Sequence, residues 1–315
     1  MFELNIPEKL NVASVFVDKH IEEGRSDKPA IYCEERVITY RHLHESVNRF
    51  GNILRDLDIH AEDRIAMLLP DIPEFAFAFF GTMKIGAVAV PLNTLLDSPQ
   101  YLHFLNDSGS RILVVHDSLV DLLTPILDKL KYLEHILVCG QEATDFPNLE
   151  ILLADASSEL EAADTQRHDV AFWLYSSGTT GLPKGIIHRH QDMVVTSERY
   201  ARQTLGLTES DTSFSVPKLF FAYGLGNSLY FPLWTGGSAV LLPGTPTPDA
   251  VFNIIERHKP TVFYSVPTNF TTLLQTAERD NTIDLNSVRL CLSAAEPLPK
   301  PLFEQWQTRF GLELL

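Results

Sequence analysis

The sequence is organised around a short stretch rich in glycine and hydroxyl groups, which reads Tyr175-Ser176-Ser177-Gly178-Thr179-Thr180-Gly181-Leu182-Pro183-Lys184-Gly185. An apolar run, Val170 to Tyr175, leads into it and has the length and composition of a buried strand. Glycines let backbone N–H groups approach an anion closely, hydroxyls add neutral donors, and Lys184 adds a positive charge. The stretch therefore predicts a loop that holds a polyphosphate.

Two other interpretations compete for this stretch. The phosphate loop of NTPases, G-x-x-x-x-G-K-[ST], requires a second glycine before its lysine and a Ser or Thr after it. Counted from Gly178, Pro183 stands at the glycine position and Gly185 at the Ser/Thr position, so this pattern fails. A plain Ser/Thr/Gly surface linker has no need for a Pro-Lys-Gly ending, which makes the linker the weaker interpretation.

The overall charge excludes several classes of partner. The chain has 315 residues, 45% hydrophobic content, a formal net charge of -16 and a sequence pI near 5.0. Nucleic acid and anionic membrane would be repelled by most of such a surface, so neither is expected as a partner. A nucleotide would need local positive charge, which Lys184, His188, Arg189 and His190 could supply directly after the loop.

Export and membrane insertion are not expected from the sequence. The start of the chain, Met1 to Asn5, lacks a basic segment followed by an apolar one. The longest apolar run, Phe75 to Val90, is too short to span a bilayer and predicts a core element. The cysteines stand far apart beside apolar runs, which is typical of buried thiols and fits a cytoplasmic protein. They are Cys33, Cys139 and Cys291.

Strand-like and helix-like runs alternate along the chain and predict an α/β fold. Strands at residues 64–69 and 87–91, for example, flank a helix. Alternation at this spacing implies parallel βαβ units in doubly wound sheets. We expect two packed lobes with mostly parallel sheets, the first over residues 1–165 and the second over residues 166–315. The small and acidic segment 154–168 is the candidate linker between them.

Several local signals place individual elements. Residues 29–40 predict a hairpin, and Thr39 is a candidate N-cap for the helix that follows it. Ser98, which precedes a proline, is a candidate N-cap for a later helix. We expect residues 117–131 to form a helix and residues 312–315 to begin a strand.

Three further stretches leave strand-like runs and have the composition of pocket walls. Lys218 to Asn227 combines three aromatic residues with two glycines. An aromatic cluster beyond the carboxyl end of a strand can line an apolar slot. Ser265 to Thr268 and Leu292 to Leu298 leave later strands in the same way. Ordinary core packing of the aromatic residues and a simple strand–helix turn for the last stretch stay open as alternatives.

Together the loop and these stretches resemble the signature of the adenylate-forming superfamily, which contains AMP-forming acyl-CoA synthetases, luciferases and peptide-synthetase adenylation domains. The resemblance covers essentially the whole chain from Glu8, and the aromatic stretch looks most like benzoate- and hydroxybenzoate-CoA ligases. It implies a reaction in two steps. A carboxylate attacks the α-phosphorus of ATP with the help of Mg²⁺, and the acyl adenylate then meets a thiol, here coenzyme A.

The resemblance also implies roles for individual residues, and no residue of this sequence is expected to be a metal ligand. Lys184 and Thr180 are expected to be catalytic. The nucleotide is expected to contact the loop and part of the last stretch, namely Ser176, Ser177, Gly178, Thr179, Thr180, Gly181, Lys184, Ala295, Glu296 and Pro297. The acid pocket is expected to contain Phe221 as its gate, with Ala222, Tyr223, Gly224 and Pro267. Ala295 departs from the family by replacing a glycine.

The end of the chain departs further from the family. Family members continue well past the position of Leu315 with a Glu that binds Mg²⁺, an Asp that holds the ribose, and a small mobile domain that carries the catalytic lysine. We therefore expect this sequence to be an incomplete, inactive amino-terminal portion, and a non-catalytic nucleotide- or acyl-binding module is the alternative function. The expected partners are a small carboxylic acid and coenzyme A, and a homodimer stays open.

Overall fold

The computed structural model describes residues 4–142, 144–176 and 182–315, which form two six-stranded sheets with surrounding helices. Numbered in chain order, the strands are β1 (Pro29–Cys33), β2 (Arg36–Thr39), β3 (Arg64–Leu68), β4 (Val88–Pro91), β5 (Ile112–His116), β6 (His135–Cys139), β7 (Val170–Ser176), β8 (Lys184–Arg189), β9 (Thr212–Ser215), β10 (Ser238–Leu241), β11 (Val262–Ser265) and β12 (Leu290–Ser293).

The α-helices are α1 (Lys19–Glu22), α2 (Tyr40–Asp56), α3 (Pro73–Lys84), α4 (Ser98–Ser108), α5 (Leu149–Asp155), α6 (His190–Thr196), α7 (Ala222–Leu225), α8 (Phe231–Thr235), α9 (Pro248–His258), α10 (Pro267–Ala277) and α11 (Lys300–Phe310). Helical segments of tighter or wider pitch lie at Ser14–Asp18, Asp117–Leu122, Thr124–Lys129, Ser197–Thr204 and Gly226–Tyr230. In the part of the chain that the structure describes, no helix is long and apolar enough to cross a bilayer.

Each sheet has parallel strands and one antiparallel strand at an edge. The first sheet has the order β12-β11-β9-β10-β1-β2, and the second has the order β6-β5-β3-β4-β7-β8. The edge strands β2 and β8 are the antiparallel ones, and each is joined to its neighbour as a hairpin. The predicted fold class, α/β with two mostly parallel sheets, is confirmed.

The two sheets do not divide the chain at residue 165. β1 and β2 precede that point but belong to the first sheet, whereas β7 and β8 follow it and complete the second. Segment 154–168 lies against α2, where Asn48 Nδ2 donates to the carbonyl O of Ser158 at 2.8 Å. This segment is therefore packed against the fold and is not a free linker. The lobe boundary at residue 165 stays a prediction.

The main hydrophobic core joins both sheets through α2 and α3. It contains Ile31 of β1, Met67 of β3 and Phe172 of β7 together with side chains of the two helices. All 12 residues of α3 are buried, as the apolar run predicts. Lys84 at the end of α3 is buried as well, and its Nζ donates to Asp18 Oδ1 at 2.7 Å. The charge of this lysine is thus compensated inside the core.

The helix caps are predicted correctly in one case and wrongly in another. Thr39 caps α2, because its Oγ1 accepts from the N–H of His42 at 3.2 Å. The predicted cap Ser98 is wrong by one residue. Asp97 is the N-cap of α4: its Oδ1 accepts from the N–H of Gln100 at 3.4 Å, and the Gln100 side chain binds the Asp97 N–H in return. This reciprocal pair is a capping box, which stabilises a helix start with two hydrogen bonds.

Two regions have a different secondary structure from the predicted one. Residues 117–131 contain two short 3₁₀ segments in place of one α-helix. Pro125 lies at the start of the second segment and has no N–H with which to continue a helical hydrogen-bond pattern. The polar residues after the glycine loop form β8, a strand that the sequence did not predict.

The last residues of the chain lie beside β12, as the predicted strand at 312–315 requires. The N–H of Leu315 donates to the carbonyl O of Cys291 at 3.0 Å, and the N–H of Ser293 donates to the carbonyl O of Leu315 at 2.8 Å. Leu314 pairs in parallel with Cys291. The three cysteines are free and buried, as predicted.

Candidate active site

The three predicted pocket stretches leave the carboxyl ends of three adjacent strands. β9, β11 and β12 are neighbours in the first sheet. Their parallel register aligns Tyr264 with Ser215 on one side and with Leu292 on the other. The chain after each strand therefore starts at the same edge of the sheet. Ligands of open α/β sheets bind at this carboxyl edge, which makes it the candidate site.

Tyr223 ties the aromatic stretch to this edge. Its hydroxyl donates to the carbonyl O of Leu292 at 3.2 Å, and its ring lies edge-on to Tyr264 with the centroids 6.3 Å apart. Burial raises the pKa of Tyr223 well above its usual range, so the hydroxyl stays a neutral donor. Tyr223 is thus fixed at this edge by the hydrogen bond from its hydroxyl to the backbone of β12. We call the surface formed by Tyr223 and Phe221 the aromatic wall.

Phe221 exposes an apolar surface in this wall. Its side chain is 47% exposed and packs against Phe220, which is only 5% exposed, with the ring centroids 4.6 Å apart. Ala222 is exposed beside it. Gly224 lies behind the wall, where a Cβ atom would stand 2.1 Å from the carbonyl O of Lys218, so no larger residue fits. An exposed ring on a buried aromatic neighbour can contact a flat apolar ligand.

Glu296 joins the second and third stretches. Its Oε2 accepts from the N–H of Thr268 at 3.1 Å and from the Thr268 Oγ1 at 2.7 Å. Pro267 is buried at the start of α10, and Val266 before it provides no side-chain cap. The carboxylate of Glu296 therefore caps α10 from another loop, where the helix dipole favours a negative charge. Glu296 is a predicted nucleotide contact, and one of its two carboxylate oxygens is thus already hydrogen-bonded to Thr268.

Ala295 has an unusual backbone conformation. Its φ is 70°, in the left-handed region that favours glycine. The resemblance to adenylate-forming enzymes implies a glycine at this position, and the backbone conformation gives the physical reason for that glycine. Ala295 and Pro297 are both exposed at the carboxyl edge of β12.

The glycine loop connects two antiparallel strands. β7 ends at Ser176 and β8 begins at Lys184, and these two residues pair across the hairpin. Both side chains are exposed, and in the ranges that the structure describes no carboxylate is an ion-pair partner of Lys184. The other predicted loop contacts lie outside the described residues. They are Ser177, Gly178, Thr179, Thr180 and Gly181.

Helix α4 holds both ends of this loop. Before the loop, the hydroxyl of Tyr175 donates to Asp107 Oδ2 at 2.7 Å, and its ring packs on Phe104 with the centroids 4.4 Å apart. After the loop, His103 Nε2 lies 3.1 Å from the carbonyl O of Pro183. The entry and exit of the loop are therefore fixed to one helix.

Asp71 is a further candidate residue of the site, and the sequence alone did not indicate it. It follows β3 in the second sheet and is buried. Its Oδ1 accepts from the N–H of Leu219 at 3.0 Å, and its Oδ2 lies 3.9 Å from Lys218 Nζ. Burial raises the pKa of Asp71 to about 6, against the opposing effects of Lys218 and the Leu219 N–H. An acidic residue directly after an apolar strand, in Pro70-Asp71, is the signal that could have revealed it.

Comparison with known proteins identifies the family. An α/β fold with pocket stretches at the carboxyl edge of a parallel sheet defines a class of proteins that bind small ligands. Residues 17–315 match the family described as AMP-binding enzyme, and the chain therefore belongs to that family. The predicted resemblance to adenylate-forming enzymes is confirmed.

Individual relatives include ligases of aromatic acids. The benzoate–CoA ligase of Thauera aromatica is 42% identical over 313 residues, which are 99% of this chain and 59% of that protein. The 4-hydroxybenzoate–CoA/benzoate–CoA ligase of Rhodopseudomonas palustris is 37% identical over 97% of this chain and 56% of its own length. The crystal structure of an anthranilate CoA ligase with anthranoyl-AMP has a TM-score of 0.94 at 37% identity.

The structural match covers 98% of this chain and 60% of the anthranilate CoA ligase. A benzoate CoA ligase from Burkholderia xenovorans LB400 gives a TM-score of 0.89 at 36% identity, with 97% of this chain and 60% of the other covered. The chain thus spans 60% or less of the length of these relatives.

The conformation of Ala295 generates a stability prediction. Ala295→Gly should raise the free energy of unfolding by roughly 0.5–1 kcal/mol, because relief of left-handed strain of about 1–2 kcal/mol exceeds the entropy that glycine adds to the unfolded chain. Ala154→Gly, at an exposed position of α5, is the matched control and should be destabilising. Urea denaturation of both variants measures the effect, and a lower stability of Ala295→Gly would contradict it.

The burial of Asp71 generates a pH prediction. The pKa of Asp71 is about 6 in the folded chain, above the ordinary value of 3.8. Its contribution to the stability of the fold is therefore fully present below about pH 4 and is lost as the pH rises through 6. The stability of Asp71→Asn relative to the parent chain should therefore increase by up to about 3 kcal/mol from pH 4 to pH 7, at about 1.4 kcal/mol per pH unit.

Chemical denaturation at the two pH values measures this difference. Asp63→Asn is the matched control, because Asp63 lies at the other end of β3 and is only partly buried beside Arg111, with Oδ2 2.7 Å from Arg111 Nη1. A constant difference between Asp71→Asn and the parent chain across this pH range would show that burial does not control the titration of Asp71.

Proposed function

We propose that this chain takes part in the ATP-dependent activation of an aromatic carboxylic acid to an acyl adenylate and then to an acyl-CoA thioester. The observation that carries the proposal is the aromatic wall of Phe221 and Tyr223, which lies at the same sheet edge as the exposed Ala295 and Pro297. Relatives described as ligases of benzoate and 4-hydroxybenzoate support a benzoate-like acid as the substrate.

The proposed ATP site combines the glycine loop with the Ala295 stretch. Lys184 supports it, because this lysine is exposed at the end of the loop in a chain with a net charge of -16 and has no carboxylate partner among the described residues. An exposed ammonium group can interact with a polyphosphate as a point charge. Ser176 exposes a hydroxyl at the other end of the loop and can donate a hydrogen bond.

Mg²⁺ is proposed to arrive with the phosphates of ATP. In the part of the chain that the structure describes, no three His, Cys, Asp or Glu side chains are grouped to hold a metal. The proposal therefore assigns no protein ligand to the ion. When bound to ATP, Mg²⁺ neutralises negative charge on the phosphate oxygens.

The proposed chemistry has two steps. In the first, a carboxylate oxygen of the acid forms a bond to the α-phosphorus of ATP, and the bond to pyrophosphate breaks. The contribution of the chain is to align the acid against the wall and to place Lys184 near the negative charge that spreads over the phosphates. In the second step the thiol of coenzyme A attacks the acyl carbon, and AMP leaves.

A non-catalytic nucleotide- or acyl-binding module is the second candidate. It shares the binding steps with the first candidate and lacks the turnover. The chain spans 59% and 56% of two ligases that it resembles, so binding and turnover have to be measured separately. A cytoplasmic location and a homodimer stay predictions.

The central experiment measures binding and turnover on residues 1–315. Calorimetry should detect binding of ATP with Mg²⁺ to the chain and, in a separate titration, binding of benzoate. Lys184→Ala should weaken ATP binding by about tenfold or more, because a hydrogen bond to a charged group is worth about 1.5–3 kcal/mol, and should leave benzoate binding unchanged. Lys131→Ala is the matched control, since Lys131 is an exposed lysine before β6, at the amino end of the second sheet.

The outcomes separate the two candidates. Chromatography of AMP and benzoyl-CoA after addition of coenzyme A measures turnover, and binding of ATP and benzoate without either product would favour the binding module. Turnover comparable with that of a complete ligase would exclude the binding module. Absence of both ATP and benzoate binding would contradict the proposed function in either form, and an unaltered ATP affinity of Lys184→Ala would contradict the role of the lysine.

The aromatic wall generates a prediction about acid selectivity. Benzoate and its ring-substituted derivatives should bind more tightly than octanoate or palmitate, because each ring contact with Phe221 or Tyr223 adds roughly 1 kcal/mol beyond area burial. Tyr223→Ala should weaken this preference without removing ATP binding. Competition against a fluorescent aryl acid measures the ranking. A panel in which the alkyl acids bind more tightly than benzoate would refute an aromatic pocket.

A further inference from the structure

We infer that Asp71 is a positioning residue for the acid pocket, because it fixes the turn at Lys218 and Leu219 from the second sheet and thereby sets where the aromatic wall of the first sheet stands. This inference rests on the proposed function in one respect, the identity of the pocket. The contacts that support it belong to the chain itself.

The position of Asp71 connects the two sheets. It follows β3 in the second sheet, and β9 of the first sheet leads into Lys218 and Leu219. The backbone N–H of Leu219 donates to Asp71 Oδ1 at 3.0 Å, and both groups are buried. Without this acceptor the buried N–H would lose this hydrogen bond, which would destabilise the turn. The carboxylate thus fixes one backbone atom of the turn.

Lys218 fixes the same turn from the other side. Its Nζ lies 3.9 Å from Asp71 Oδ2 and donates to the carbonyl O of Gly244 at 2.8 Å and to that of Leu242. Leu242 and Gly244 follow β10, so the lysine joins the carboxyl ends of β3 and β10 to the turn after β9. The side chain of Lys218 is largely buried, which limits its freedom to move.

The turn is coupled directly to the wall. The N–H of Phe221 donates to the carbonyl O of Lys218 at 3.0 Å, and the N–H of Leu225 donates to the carbonyl O of Phe221 at 2.8 Å. Gly224 touches the Lys218 backbone so closely that a Cβ atom would stand 2.1 Å from its carbonyl O. A displacement of Lys218 therefore moves Phe221 and α7 with it.

The other end of the wall is held independently. Tyr223 donates from its hydroxyl to the carbonyl O of Leu292 in β12. The wall is thus attached to β12 through Tyr223 and to β3 through Asp71. If the Asp71 attachment is removed, the Tyr223 attachment remains, so we expect loosening of residues 219–222 without unfolding of the site.

Asp71 is a suitable group to test because its ion pair is weak. The charges lie 3.9 Å apart and both groups are mostly buried, an arrangement in which desolvation offsets the attraction. The raised pKa of Asp71 has the same cause. When the carboxylate is replaced, Lys218 keeps the carbonyl oxygens of Leu242 and Gly244 as acceptors. We therefore expect the main effect at the turn.

The experiment compares three variants of the 315-residue chain. Asp71→Ala removes both the acceptor for Leu219 and the partner of Lys218, whereas Asp71→Asn keeps an acceptor and removes the charge. Asp63→Asn changes an acid at the opposite end of β3 and is the matched control. The readouts are amide hydrogen exchange of residues 219–225 and the affinities for benzoate and for ATP with Mg²⁺.

The expected result is confined to one region and one ligand. Asp71→Ala should speed amide exchange at residues 219–222 by about tenfold or more. This factor corresponds to about 1.4 kcal/mol, the stabilisation that one buried hydrogen bond gives against local opening. It should weaken benzoate binding by a similar factor and change ATP affinity by less than about twofold. Asp71→Asn should show smaller effects on both, and Asp63→Asn should show neither.

The outcomes distinguish this inference from the proposed function. Unchanged exchange at residues 219–222 in Asp71→Ala would overturn the inference, whatever the chain binds. Equal losses of benzoate and ATP affinity would also overturn it, since they indicate a general structural defect. If the parent chain binds no benzoate, the proposed function fails and the exchange data alone decide whether Asp71 positions the turn. If Asp71→Ala does not fold, Asp71→Asn against Asp63→Asn decides the question.

Discussion

The parallel pairing of β9, β11 and β12 is the constraint on which the candidate site depends. Tyr264 stands between Ser215 and Leu292 in this register, so the chain leaves all three strands at one level. Contacts between the departing segments then become short and local, as in the hydrogen bond from Tyr223 to Leu292. A shift of one residue in any of these strands would turn its side chains to the opposite face and separate the segments.

The two hairpins complete this arrangement at the sheet edges. β2 closes one edge of the first sheet, and β8 closes one edge of the second. The second hairpin carries the glycine loop, with Ser176 and Lys184 paired at its base and with α4 bound to Tyr175 and Pro183 on either side. The two ends of the loop are therefore positioned by strand pairing and by contacts with α4.

The sequence predicted what depends on local patterns. The hairpin at residues 29–40 and the buried helix α3 were found because apolar spacing and turn residues are visible within a short window. β8 was missed because Ile186 and Ile187 are both partly exposed at an edge, so no alternation appears. Asp71 was missed because its partner Leu219 lies 148 positions away. Ala295 was noticed only through a resemblance, since its φ of 70° has no sequence signal of its own.

The difference between two lysines shows why burial, and not charge alone, assigns their roles. Lys218 is mostly buried, its pKa is lowered chiefly by that burial, and its ammonium group is bound by carbonyl oxygens and faces Asp71. The positive charge of Lys218 therefore interacts with groups inside the protein. Lys184 stands exposed at the end of the loop, without a carboxylate partner among the described residues. A lysine whose ammonium group is already bound inside the protein has few donors left for a phosphate. Of these two lysines, the proposed phosphate contact therefore falls to Lys184.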